Sequence, residues 1–136
     1  MDLTQTVPWH RLEPGSDFRR RLAQLSRSGG RRLFHPLDAG SYVLSIQASA
    51  DHASTPALPV APFHVLAWEV AVFTADGRLL DEARDPEMLA LPEPWRKYWR
   101  GGIGRRVPTA CVRVIVDRFV LGPDYYDRFV LEDPGG

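Results

Sequence analysis

Cysteine and lysine are almost absent from this chain of 136 residues, which contains one cysteine, Cys111, and one lysine, Lys97, among 17 basic side chains. A single cysteine excludes an internal disulfide and any cysteine-rich zinc site, and fits a reducing compartment. No apolar run approaches the roughly 20 residues that a membrane-spanning helix needs. The N-terminal Met1-Asp2-Leu3-Thr4-Gln5-Thr6 has no basic stretch followed by an apolar one, so nothing there reads as a secretion signal. A soluble, cytoplasmic protein is the expectation. An excess of one charge is also missing: 17 Lys and Arg stand against 17 Asp and Glu, which argues against a surface given over wholly to nucleic acid.

The balance hides an alternation. Residues 1–36 hold seven Arg against three acids, and residues 37–84 hold two Arg against six. Residues 101–122 hold four Arg against one Asp, and residues 123–136 one Arg against four acids. The segments either compensate one another in space or leave one basic face able to steer an acidic partner.

A chain of this length and ordinary apolar content, 44%, suits one domain with a single core. Residues 1–15, with Pro8, Pro14 and Gly15, read as an irregular lead-in whose Trp9 docks on the body. Over 16–29, Ser16 or Asp17 can cap a basic amphipathic helix in which Phe18, Leu22 and Leu25 share a face, Arg19, Arg20, Arg21 and Arg27 face solvent, and Gly29-Gly30 is the stop. Strands are expected within 41–82. Residues 41–49 alternate with period two, as a half-buried strand does. The segment 50–62 contains three prolines and reads as a long exposed connection. Residues 63–74 are apolar on both faces except Glu69, which marks a central strand, and Asp76-Gly77 turns the chain into a short return. Residues 84–94, with Pro86, Pro92 and Pro94, read as loop with at most one turn of helix. From 95 to 120 a helical reading is favoured: a short helix from Pro94, a stop at Gly101-Gly102, and a second helix from Pro108-Thr109 with Cys111, Val112, Ile115, Val116 and Phe119 on one side. The competing reading of 112–131 is a β-hairpin, because Asp-Arg-Phe-Val-Leu recurs at 117–121 and 127–131 around Gly122-Pro123-Asp124. Residues 124–136 form a tail.

Catalytic and cofactor signatures are scarce. Gly101-Gly102-Ile103-Gly104 has the spacing of neither the dinucleotide fingerprint nor the P-loop, and reads as a turn, or as amides freed to hold a phosphate or carboxylate beside Arg105 and Arg106. His10, His35, His52 and His64 lie in four separate segments, so no metal or other cofactor is expected. Cys111 on an apolar helix face is an inert thiol rather than a nucleophile. The loop of Ser49, Asp51, His52, Ser54 and Thr55 is the one arrangement that could serve a small enzyme, against the reading that its hydroxyls satisfy their own turns. Glu69 is expected to pair with an arginine such as Arg105.

The densest signal is Trp95 to Arg106, with three aromatics, five cations and three glycines. Trp, Tyr and Arg carry much of the binding energy at protein surfaces, and aromatics among cations also suit stacked bases and phosphates. Trp95 and Trp99 can equally be core anchors with Arg96, Lys97 and Arg100 pointing outward. The candidate partner-binding residues are therefore Trp95, Arg96, Tyr98, Trp99, Arg100, Arg105 and Arg106, joined by Arg19, Arg20, Arg21 and Arg27 of the first helix.

The strings Ile46-Gln47-Ala48-Ser49, His52, Ser54-Thr55-Pro56, Trp68-Glu69-Val70-Ala71-Val72-Phe73, Gly77 and Val107-Pro108 together resemble a group of short, uncharacterised proteins encoded by phages and other mobile elements. The resemblance covers roughly residues 41–120, and implies a small α+β protein with a helix after Val107-Pro108; it carries over no activity and no binding residues. The expectation is a single α+β domain, an antiparallel sheet of three or more strands with two to three short helices. It would act as a non-enzymatic mobile-element factor that binds and modulates a host nucleic-acid-processing complex through its aromatic and Arg surface. Direct nucleic-acid binding and a small enzyme using the Asp51-His52 loop are the alternatives; the oligomeric state is open.

Overall fold

The computed structural model describes residues 10–13, 17–89 and 91–122. Their elements are, in chain order, strands β1 (Gln24–Ser28), β2 (Arg31–Phe34), β3 (Leu37–Asp38), β4 (Tyr42–Gln47) and β5 (Ala67–Thr74), helices α1 (Pro86–Leu89) and α2 (Glu93–Arg96), strands β6 (Trp99–Arg100) and β7 (Ile103–Pro108), and helix α3 (Thr109–Leu121). The arrangement is α+β: an antiparallel sheet in the order β3-β4-β5-β7-β6, a separate two-stranded sheet β1-β2, and three helices.

The alternation of 41–49 and 63–74 becomes the centre of the large sheet. Leu44 lies opposite Val72 and Ile46 opposite Val70, and with Trp68 all of these side chains are fully buried. Facing them, α3 contributes Val112, Ile115, Val116 and Phe119, so both surfaces meet in one core. Cross-strand pairs of large apolar side chains on one face and a helix stripe opposite are what make such a layer stable. β5 is the middle strand, as the two apolar faces of 63–74 imply, though it starts only at Ala67: Pro62–His64 is a 3-10 turn, and Leu66 is exposed. Gly77, with φ +94°, allows the turn after β5, and the return runs as a single bridge, Phe73 to Leu79, with the Leu80 amide donating to the Val72 carbonyl. The 50–62 connection is less exposed than its prolines suggest: Ser54 is buried, and Thr55 is bridged to Ala67.

The helical reading of 109–121 holds despite six β-branched residues in it, because the i, i+3, i+4 stripe has a sheet to cover. The Thr109 amide donates to the Leu66 carbonyl, and Trp68 Nε1 donates to Thr109 Oγ1 at 2.9 Å, which pins the first turn of α3 to the sheet. Trp9, the 127–131 copy of the repeat and the tail lie outside the described residues.

Two expectations are corrected. No helix spans 16–29. Asp17 caps a 3-10 turn, Phe18–Arg20, and the chain then enters the β1-β2 hairpin. Gly29-Gly30 is its two-residue loop, with Gly29 at φ +61°, not a helix stop. Phe18 is fully buried with its ring edge on Trp68, whereas Leu25 is 51% exposed, so the three apolar residues that matched a helical period do not share a face. The 95–120 segment is helical only at its two ends. Between them stands the β6-β7 hairpin, turned at Gly101 and Gly102 with φ of +61° and +85°. Trp99 pairs with Gly104, and its indole lies where a Gly104 side chain would be.

Candidate functional site

The aromatic and basic segment divides by burial. Trp99 is 6% exposed and belongs to the core, so it offers no contact to a partner, and Trp95 and Tyr98 are half-buried against the same core. Around Tyr98, the side chains of Lys97, Arg100 and Arg105 line a shallow recess of about 420 Å³. Its frame is well fixed. α2 ends at Lys97, the Tyr98 amide donates to the Trp95 carbonyl, and the Arg105 amide donates to the Tyr98 carbonyl at 2.8 Å. Lys97 Nζ sits 5.3 Å from the Tyr98 ring centroid, and Arg105 Nη1 donates to the Arg100 carbonyl.

The carboxylate at the hairpin turn is otherwise engaged: Glu82 accepts the amides of Gly101 at 3.1 Å and Gly102 at 2.7 Å. The glycine amides do hold a carboxylate, but one from their own chain, and they turn a hairpin rather than link two helices. Among the described residues, no ion pair forms on Lys97, Arg100, Arg105 or Arg106. Arg96 instead donates to the carbonyls of Leu91 and Leu89, which makes it a brace for the α1-α2 connection. Arg106 stands at φ +50° in the bulge of β7 opposite Glu69. The expected pairing of Glu69 is not formed: Glu69 accepts from the Ala53 amide at 3.4 Å and makes no ion pair among the described residues.

The arginines of the first segment do not join this recess. Arg19 is bound to Asp17 at 2.6 Å and stacks over Phe63, and its hydrogen bonds hold the Asp17 carboxyl below the usual range. Arg21 reaches Glu13, and Arg20 is exposed. Arg27 lines a second recess, of about 350 Å³, together with Arg31, Arg32, Asp51 and His52. The polar loop singled out in the sequence thus meets the basic hairpin. Ser49 Oγ lies 2.8 Å from His52 Nδ1 and accepts the Asp51 amide at 3.3 Å, but Ser49 is fully buried. No substrate reaches that hydroxyl as it is placed, so the pair orients the imidazole.

Cys111 is half-buried, and burial pushes its thiol up, away from the thiolate that nucleophilic chemistry needs. Among the described residues no group of three or more His, Cys, Asp or Glu is placed to hold a metal ion, and no helix is long and apolar enough to cross a membrane. A feature missed in the sequence is a groove of about 320 Å³ between the hairpin and the outer sheet face, lined by Leu25, Leu33, Phe34, Val43 and Phe73. No family model matches the chain, and no curated protein and no solved structure is significantly similar to it.

Proposed function

We propose that this chain is a non-enzymatic binding protein whose contact surface is the recess of Lys97, Tyr98, Arg100 and Arg105, and that it recognises an acidic patch on a larger protein assembly. The observation that carries the reading is that, among the described residues, no carboxylate pairs with these three cations, gathered round one half-exposed tyrosine on a frame anchored by buried Trp99. Exposed cations with no internal ion pair to break are available to an acidic surface, and a fixed frame reduces the ordering entropy of association. A host nucleic-acid-processing complex, met by a phage or mobile-element factor, is a partner of this chemistry. The same cations around Tyr98 support direct nucleic-acid binding as the second reading, through phosphate contacts and one stacked base. Burial of Ser49 weighs against a hydrolytic use of the Asp51-His52 loop.

The test is retention of host proteins on the immobilised chain, with and without nuclease, comparing the wild type with the K97E/R100E/R105E variant. Those positions are exposed, so folding should be unaffected. The expected result is a stoichiometric, nuclease-resistant protein whose affinity falls by about 100-fold in the variant, since each reversal puts like charges together. Equal retention by both proteins would overturn the reading. Loss on nuclease treatment would establish the nucleic-acid alternative, with affinity falling steeply as salt rises.

A further inference from the structure

We infer that the β1-β2 hairpin and the 49–52 loop form a binding site for a tetrahedral oxyanion of the phosphate class, taken as the free ion or as a phosphomonoester. The site is separate from the Tyr98 recess, and the inference does not depend on that reading.

The first observation is the register of the hairpin. Arg27 lies directly opposite Arg32, and Ser28 opposite Arg31. Like charges directly across two strands destabilise the pair unless a counter-charge lies between or beside them. The recess that these strands line supplies one carboxylate, Asp51, and it is committed to Arg31 at 3.1 Å. Arg27 and Arg32 are left with no carboxylate partner among the described residues.

Independently, Arg32 is buried. It is 7% exposed, its Nη1 donates to the Val60 carbonyl and its Nη2 to the Ala48 carbonyl, both at 2.7 Å, and its guanidinium stacks 4.2 Å from the Phe34 ring centroid. Its Nε has no acceptor among the described residues. Carbonyl dipoles alone are weak compensation for a desolvated cation, whose burial without a counter-ion is costly. Desolvation, and then the nearby Arg27, lower the affinity of this guanidinium for its proton. A dianion in the recess would relieve both costs at once, and guanidinium groups suit it through paired N–H donors.

The third observation is that the donors are held in place before any ligand arrives. The Ala50 amide donates to the Gly30 carbonyl at 2.9 Å, tying the hairpin turn to the polar loop. On the next strand the Gln47 side chain accepts the Phe34 amide and donates to the Phe34 carbonyl. In the tautomer where Ser49 Oγ, itself accepting the Asp51 amide, donates to His52 Nδ1, the imidazole keeps its proton on Nε2 and has a donor to offer a ligand in the recess that His52 lines. Ser26 and Ser28 add hydroxyls at the rim. A volume of about 350 Å³ sits at the low end of small-molecule sites, which fits a small anion rather than a large apolar ligand.

The experiment titrates the whole chain with inorganic phosphate and, separately, with glycerol phosphate, each against sodium chloride at matched ionic strength, reading backbone amide shifts by NMR. Saturable shifts confined to residues 26–32 and 49–52 are expected, with affinity about tenfold weaker in R27Q and in H52Q, each having lost one charge-assisted or directed donor. R105Q, in the other recess, should bind as the wild type does. Tighter binding of glycerol phosphate would identify the ester as the source, and equal binding the free ion. Absence of saturation with both probes, or unchanged affinity in R27Q and H52Q, would overturn the inference. Arg27 is exposed and His52 half-buried, so both variants should fold, and their amide spectra report this directly.

Discussion

Gly104→Ala is expected to destabilise the chain by about 2 kcal/mol in urea unfolding, an unusual cost for the addition of one methyl group. The new Cβ would lie 2.7 Å from Trp99 Cε2 and 2.8 Å from Cζ2. An indole is rigid, and this one is 6% exposed with the sheet on one side, so it cannot yield as a flexible side chain would. Overpacking of this kind costs about 1–3 kcal/mol, against a gain of about 0.4–1 kcal/mol from the lower backbone entropy of the unfolded alanine chain. The contact can be isolated by a second substitution. Trp99→Leu removes the two nearest ring atoms, and it sacrifices no hydrogen bond, because Trp99 Nε1 has no acceptor among the described residues. In that background Gly104→Ala should cost at least about 1 kcal/mol less, a coupling typical of residues in direct contact. Equal costs in the two backgrounds would mean that the alanine acts on the strand itself, and that the frame of the Tyr98 recess does not depend on the indole.

That contact also explains why 95–108 misleads a reader of the sequence. Trp95, Tyr98 and Trp99 match a helical period, but α2 stops at Arg96 and holds only Trp95 of the three. Beyond Lys97 the outcome depends on Gly104, five positions after Trp99, whose missing side chain lets the indole fold across the hairpin. No local propensity encodes a close approach of that sort. The 16–29 segment failed for a related reason, since Phe18, Leu22 and Leu25 satisfy the helical period while the stronger claim on this region is nonlocal. Gln47 binds both backbone groups of Phe34, and Arg32 reaches carbonyls 16 and 28 residues away, so β2 is held by partners far off in the chain. By contrast, β4, β5 and α3 were legible because their periods of 2 and 3.6 extend over whole elements that face one another in the core.

The site divides along the same line. Charge is written in the sequence, so Arg100 and Arg105 stood among the candidates while Lys97 did not, but burial is decided by the fold, and it put Trp99 in the core and gave Arg96 to the carbonyls of Leu89 and Leu91. The second recess joins residues from 26–33 with 51 and 52; the sequence reading put 26–28 in a basic helix and 51 and 52 in a polar loop, and assigned Arg31, Arg32 and Leu33 to neither. The usable signal was the alternation Arg31-Arg32-Leu33-Phe34, whose even members are buried. A strand reading there would have placed Arg32 inside, where its missing counter-charge becomes a question.

Trp68→Ala should be the most damaging single truncation, at about 4 kcal/mol, within the 3–5 kcal/mol that buried aromatic-to-alanine changes cost. Its indole is fully buried, meets the Phe18 ring edge-on at 5.2 Å, and donates to Thr109 Oγ1, so β5, the 3-10 turn and α3 converge on this side chain. Trp68→Phe separates packing from bonding. It keeps most of the ring but removes the donor, and should cost about 1–2 kcal/mol, a lost hydrogen bond plus a small void. Thr109 would keep its own donation to the Val65 carbonyl at 3.1 Å, so the start of α3 should stay docked in Trp68→Phe and loosen in Thr109→Ala, which loses both bonds. Amide exchange over 109–113 reads that difference while urea unfolding reads the totals. If Trp68→Ala cost no more than Trp68→Phe, the indole would be dispensable to the core, and the α3 stripe of Val112, Ile115, Val116 and Phe119 would have to hold the sheet without it.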